Sequence, residues 1–169
     1  MRWPAYAILV YALLGIQVGA SRYIQFHGAA PNFALMGVVF ISLNARRNQA
    51  LMGSFLIGLL QDCLGGGPVG MFAFSYGLVA LMVHSARHII GGANLLTYVA
   101  MTAVGALVTL LLVLLQSRIR PPGAFRGTTA STELYRVMYT TAAAVPVLHW
   151  LDKIRTVFGF APHRRPGRH

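Results

Sequence analysis

The chain has 169 residues, of which 56% are hydrophobic and only 10% charged, against roughly a quarter charged in an ordinary soluble domain. With a mean hydropathy of +0.62 it lacks the polar surface that keeps a globule of this size dispersed, which excludes a soluble domain and assigns the chain to a membrane. The 14 Lys and Arg against 3 Asp and Glu lie between apolar runs and in the C-terminal tail, with no basic helix face or aromatic stacking platform, so they suit loops facing anionic lipid and not nucleic acid.

Apolar runs fall at Pro4–Ala20, Asn32–Asn44, Gln49–Leu64, Val69–Ser85, Asn94–Ser117 and Leu134–Leu151. The N-terminal run lacks a small-residue cleavage site and reads as a retained helix. A spanning helix needs about 20 apolar residues; the first, fifth and sixth runs reach that, and the third and fourth form a matched pair at the lower limit. The second run is short. It is either a half-span or extends backwards through Tyr23–Ala30. The expectation is therefore an all-α polytopic membrane protein with six transmembrane helices, or five if the second run does not span, residues 1–160 forming one domain and 161–169 a basic, disordered cytoplasmic tail.

Orientation follows from the basic residues. Arg2, Arg46, Arg47, Arg87, Lys153, Arg155, Arg164, Arg165 and Arg168 lie on one side, and Arg22, Arg118, Arg120 and Arg126 on the other. The larger group places both termini in the cytoplasm. Pro31 suits the first turn of a helix. Ser131 and Thr132 can cap the sixth helix, and Glu133 in its first turn favours the dipole and pairs with Arg136 three residues on. Asp152 and Arg155 repeat that spacing. Pro146 should kink the sixth helix. Gly15 and Gly19 form a small-xxx-small pair that permits close helix packing, and Ala142, Ala143 and Ala144 offer a second smooth surface.

Asp62 is the residue that most needs an explanation. It lies about 20 Å along its helix, at the C-terminal end, where the helix dipole disfavours an anion. An acid at depth costs up to about 2.5–3.5 kcal/mol on insertion scales and so demands a partner. The N-terminus of the next helix, opening after Pro68, can supply free N–H groups; alternatively Arg22 or Arg126 pairs with it. Either way the plainer reading is an internal clasp between the third and fourth helices. Gly65, Gly66, Gly67 and Pro68 read as a turn, since neither Lys nor Ser/Thr follows them as in a phosphate loop. His84 and His88 share a helix face but lack a third ligand, so they read as interfacial and no metal site follows. Tyr6, Tyr11, Tyr76, Tyr98 and Trp150 are spaced as interface and packing aromatics. Cys63 is the sole cysteine and excludes an internal disulfide. No catalytic set and no cofactor motif is present in the sequence.

The run Gly58, Leu59, Leu60, Gln61, Asp62, then the glycine-rich break, then Pro68, Val69 and Gly70 opening an apolar helix, resembles the signature of the rod shape-determining protein MreD family. Chain length, the order of apolar runs and the arginine pair before the signature helix agree; Asn32 stands after Pro31 where the family often has an acid. The resemblance implies a non-enzymatic scaffold of the bacterial inner membrane. It would bind MreC and act with MreB, RodA and a class B penicillin-binding protein in lateral peptidoglycan synthesis, with membrane lipid around it and a homodimer as a possible state. It also implies a bundle similar to the substrate-binding subunits of energy-coupling-factor transporters. A vitamin-type transporter subunit with a cavity near Asp62 is the second reading, and it would need Gln61, Asp62, Ser75, Asn94 and Thr97 to converge.

Overall fold

The computed structural model describes residues 3–24, 29–65, 70–90, 95–119 and 130–153. They form six α-helices: α1 (Trp3–Ile24), α2 (Phe33–Asn44), α3 (Arg47–Gly65), α4 (Met71–Ile90), α5 (Leu95–Ile119) and α6 (Ala130–Lys153). Each apolar run yields one helix. The ends move outward where polar residues continue the turn, as at Arg47 and Ala130.

α2 has 12 residues, about 18 Å at 1.5 Å per residue, against a hydrocarbon core of about 30 Å. It is not extended backwards through Tyr23–Ala30, because α1 continues to Ile24 and a separate cap begins α2. That cap is Asn32, whose side-chain oxygen accepts the Leu35 N–H at 3.0 Å. Pro31 thus stands one residue before the cap and not in the first helical turn, because the Asn side chain satisfies a helix N–H and Pro has none to offer. Every residue from Phe33 to Leu43 is buried, and α2 touches all five other helices. A helix apolar on every side belongs in the middle of a bundle, and this one is there.

The surrounding helices expose apolar faces outward. On α5 these are Leu96, Val104, Leu107, Leu111 and Leu115; on α6, Leu134, Met138 and Val145. Asn32, Asp62, Glu133 and Thr140 are meanwhile buried. Apolar out and polar in is the arrangement a lipid solvent favours. Buried hydroxyls return to their own helices: Ser42 donates to Val38 O at 2.6 Å, Ser75 to Met71 O at 2.8 Å, and Thr102 to Tyr98 O at 2.8 Å. These bonds satisfy the side chain without a partner helix. Among the described residues, one helix is long and apolar enough alone to cross a membrane, with Leu96–Leu115 at a mean hydropathy of 2.4. Tyr6–Gly19, Phe33–Asn44 and Met71–Ala86 are shorter apolar helices.

The small residues differ in what they face. A methyl group added at Gly15 or Gly19 meets nothing within 4 Å, so among the described residues no other helix packs against these glycines and their surface is open. The close approach is at Gly58, where a methyl group would lie 2.5 Å from the Phe72 carbonyl oxygen. α3 and α4 form the most extensive helix pair here. Of the three alanines, Ala144 is in the core and Ala142 is exposed. Ser131 and Thr132 lie inside the first turn of α6, which opens at Ala130, and α6 runs through Pro146, which leaves the Ala142 carbonyl without its helical donor.

Candidate functional site

The end of the bundle where α3 stops and α4 begins gathers the polar side chains. Asp62 is 3% exposed. Its Oδ2 accepts the N–H of Gly70 at 2.9 Å and of Ala73 at 3.1 Å, and its Oδ1 accepts Phe72 N–H at 3.0 Å. These are the free donors of the first turn of α4, where the helix dipole favours negative charge. Of the two partners open to Asp62, the structure shows the helix N-terminus; Arg126 lies outside the described residues, as does the side chain of Arg22. Gly58 and Asp62 are four residues apart and so share one face of α3. The missing side chain at Gly58 lets α4 come close enough for a short carboxylate to reach three amides. Gly70 has φ +99°, a conformation that favours glycine, and its carbonyl accepts Phe74 N–H at 3.0 Å as the first bond of α4. Gly65 ends α3. Gly66, Gly67 and Pro68 lie outside the described residues.

Gln61 continues the polar layer toward α1. Gln17 Nε2 donates to Gln61 Oε1 at 3.1 Å, and Gln17 Oε1 accepts Ala34 N–H at 2.9 Å. One glutamine thereby ties α1 to α3 and to the start of α2.

The hub is Asn32. Its backbone N–H donates to Thr140 Oγ1 at 3.0 Å, its Nδ2 donates to Tyr76 Oη at 2.7 Å, and Tyr76 Oη donates to Asn32 Oδ1 at 3.0 Å. Non-helical backbone is tolerated at membrane depth only when protein groups satisfy it, and here α4 and α6 do so. Asn32, Gln17 and Thr140 were not singled out by sequence reasoning as members of this cluster. An Asn between a proline and an apolar run is a cap signal, but nothing local marks Thr140 as its partner.

On the same end, Glu133 in the first turn of α6 pairs with Arg136, Oε1 to guanidinium 2.6 Å, as its spacing predicts. The carboxylate side chain is 6% exposed and the guanidinium side chain 32%. A cavity of about 20 Å³ opens beside the pair. Its walls are Leu35, Phe72, Leu110 and Val137, with Asn32, Thr109 and Thr140 as polar lining.

Other candidates are not drawn in. Ser75 bonds within α4. Thr97 lies near the start of α5, at the end of the bundle opposite this cluster. Asn94 and the pair Asp152–Arg155 involve residues or side chains outside those described. His84 is buried, while the side chain of His88 is outside the description. Tyr76 and Tyr98 are fully buried, Tyr11 and Trp150 exposed. Tyr98 stacks on Phe40 at 6.1 Å and accepts a 2.8 Å bond from Asn44 Nδ2, and Tyr6 Oη donates to Gly53 O at 2.5 Å.

A protein-family model described as MreD, rod shape-determining protein MreD, matches residues 1–153. No curated protein and no solved structure matches the chain.

Proposed function

The chain belongs to the rod shape-determining protein MreD family, and from that premise we propose that it is a non-enzymatic, six-span scaffold of the inner membrane. It binds MreC and supports lateral peptidoglycan synthesis together with MreB, RodA and a class B penicillin-binding protein. The observation that carries the scaffold reading is the internal use of the polar groups. Gln17, Asn32, Gln61, Asp62, Tyr76 and Thr140 bond to one another or to helix ends, and the cavity beside them is about 20 Å³. Small-molecule sites are about 300–1,000 Å³, so this arrangement supports holding helices together over carrying a solute.

Five helices around α2 place their apolar stripes toward lipid, and the caps of α2, Asn32 and Ala45, are themselves buried. Both termini are cytoplasmic. The partner face is α1. Gly15 and Gly19 are open there, flanked by exposed Ile8, Tyr11 and Ile16, and a smooth strip of that kind accepts a single-span helix. The test is co-purification of the full chain with MreC in detergent. Gly15→Leu and Gly19→Leu leave the fold intact, since both positions are open, and reduce MreC recovery. Recovery at the wild-type level with both variants removes α1 as the interface. Cell rounding on depletion supports wall elongation, whereas rods that starve for a vitamin support the transport reading.

A further inference from the structure

Glu133 and Arg136 are not part of the proposed partner face, yet they place a buried carboxylate and a partly exposed guanidinium in the lining of a small cavity. The rest of the lining is mainly apolar, from Leu35, Phe72, Leu110, Val113 and Val137, with Asn32, Thr109 and Thr140 among them. A charged pair beside a mainly apolar lining, toward one end of the bundle, matches an amphiphile that enters from the bilayer.

We propose that the Glu133–Arg136 pair and its cavity bind the headgroup of a zwitterionic phospholipid with a primary ammonium, the phosphodiester on Arg136 and the ammonium on Glu133. The pair itself is net neutral, and this selects the ligand. An anionic headgroup would gain Arg136 but face the Glu133 carboxylate, whereas a zwitterion presents one opposite charge to each member. Arg136 has five N–H donors and gives one to Glu133, so donors remain for phosphate oxygens. A primary ammonium donates hydrogen bonds to a carboxylate and a trimethylammonium cannot. The latter is recognised by cages of several aromatic rings, and among the lining residues Phe72 alone is aromatic. The cavity has room for about one water, so only the tip of the headgroup enters and the acyl chains lie along the apolar flanks of α5 and α6.

The experiment uses the full chain, delipidated in detergent, with phosphatidylethanolamine, phosphatidylcholine or phosphatidylglycerol added. Lipid retained per chain is counted by native mass spectrometry and thermal midpoints are read alongside. One phosphatidylethanolamine per chain is retained and raises the midpoint, and the other two lipids are retained about tenfold less, the loss expected for one charge-assisted bond. Glu133→Gln removes the preference for phosphatidylethanolamine over phosphatidylcholine; Arg136→Gln lowers retention of both. Because either change could also unfold α6, Leu110→Trp at a half-buried wall position fills the cavity while leaving the pair in place, and it abolishes retention in a protein whose lipid-free midpoint matches wild type. Equal retention of all three lipids by wild type, or full selective retention by folded Leu110→Trp, overturns the proposal.

Discussion

Asp62 shows why a single carboxylate can be worth its insertion cost. The acid sits at the unfavourable end of its own helix, yet both oxygens are directed at the favourable end of the next, where three amides would otherwise be unpaired. Asp62→Ala leaves those donors without acceptors and should lower stability by about 1–3 kcal/mol. Asp62→Asn keeps one oxygen, which can serve Gly70 and Ala73 while an NH₂ group turns toward Phe72 N–H. The expected order of thermal midpoints is therefore wild type, then Asn, then Ala, with MreC recovery following the same order. Asn as damaging as Ala would mean that charge, and not acceptor count, matters at this position. Asn32 makes a related case. An acid there keeps the acceptor for Leu35 N–H and for the Tyr76 hydroxyl, so Asn32→Asp should lie closer to wild type in midpoint than Asn32→Ala, which loses the cap at about 1 kcal/mol and both tyrosine bonds. Equal loss in the two variants would place the importance of Asn32 in its Nδ2 donor.

Between elements, the contrast of glycines is the clearest lesson. The spacing of Gly15 and Gly19 is a packing pattern, but spacing does not say which face of a helix finds a neighbour within the chain. Gly58 is isolated in sequence and is nonetheless where the α4 backbone comes closest. Gly58→Ala should therefore cost about 1–3 kcal/mol through overpacking, and it should also draw the Asp62 carboxylate away from its amides. Gly15→Ala should change stability by less than about 0.5 kcal/mol. Thermal unfolding in one detergent checks both, and similar midpoints for the two variants would contradict the α3–α4 contact. The six helices were readable because apolar runs bounded by Gly, Pro and Arg are local signals. The Glu133–Arg136 pair was readable from its i,i+3 spacing, and the need of Asp62 for a partner from the cost of burying it. The central place of α2 was not readable. Its 12 residues announce only that it is short, and the bonds holding its start come from Tyr76 and Thr140, 44 and 108 residues away.

At the scale of the whole molecule, a wrapped central helix resolves how so short a segment can lie in a bilayer. α2 makes up its missing length with polar caps supplied by its neighbours: Gln17, Tyr76 and Thr140 at one end, and at the other Asn44, bonded to Phe40 O at 2.8 Å and to Tyr98. The bundle is thus closed at both ends by side chains, and the chain's alternating direction puts Arg46, Arg47 and Lys153 at the end opposite Asp62 and Glu133. In the orientation proposed from the positive-inside bias, the basic end faces the cytoplasm and the Asp62 end the outer face. Cys63, exposed next to Asp62, is the natural probe of this assignment. A membrane-impermeant thiol reagent added outside the inner membrane should label Cys63, and the labelling should not require opening the cytoplasm. A reporter fused after His169 should be active only in its cytoplasmic form. Labelling of Cys63 only from the cytoplasmic side, with the reporter outside, would invert the bundle and place the Glu133–Arg136 headgroup site in the inner leaflet.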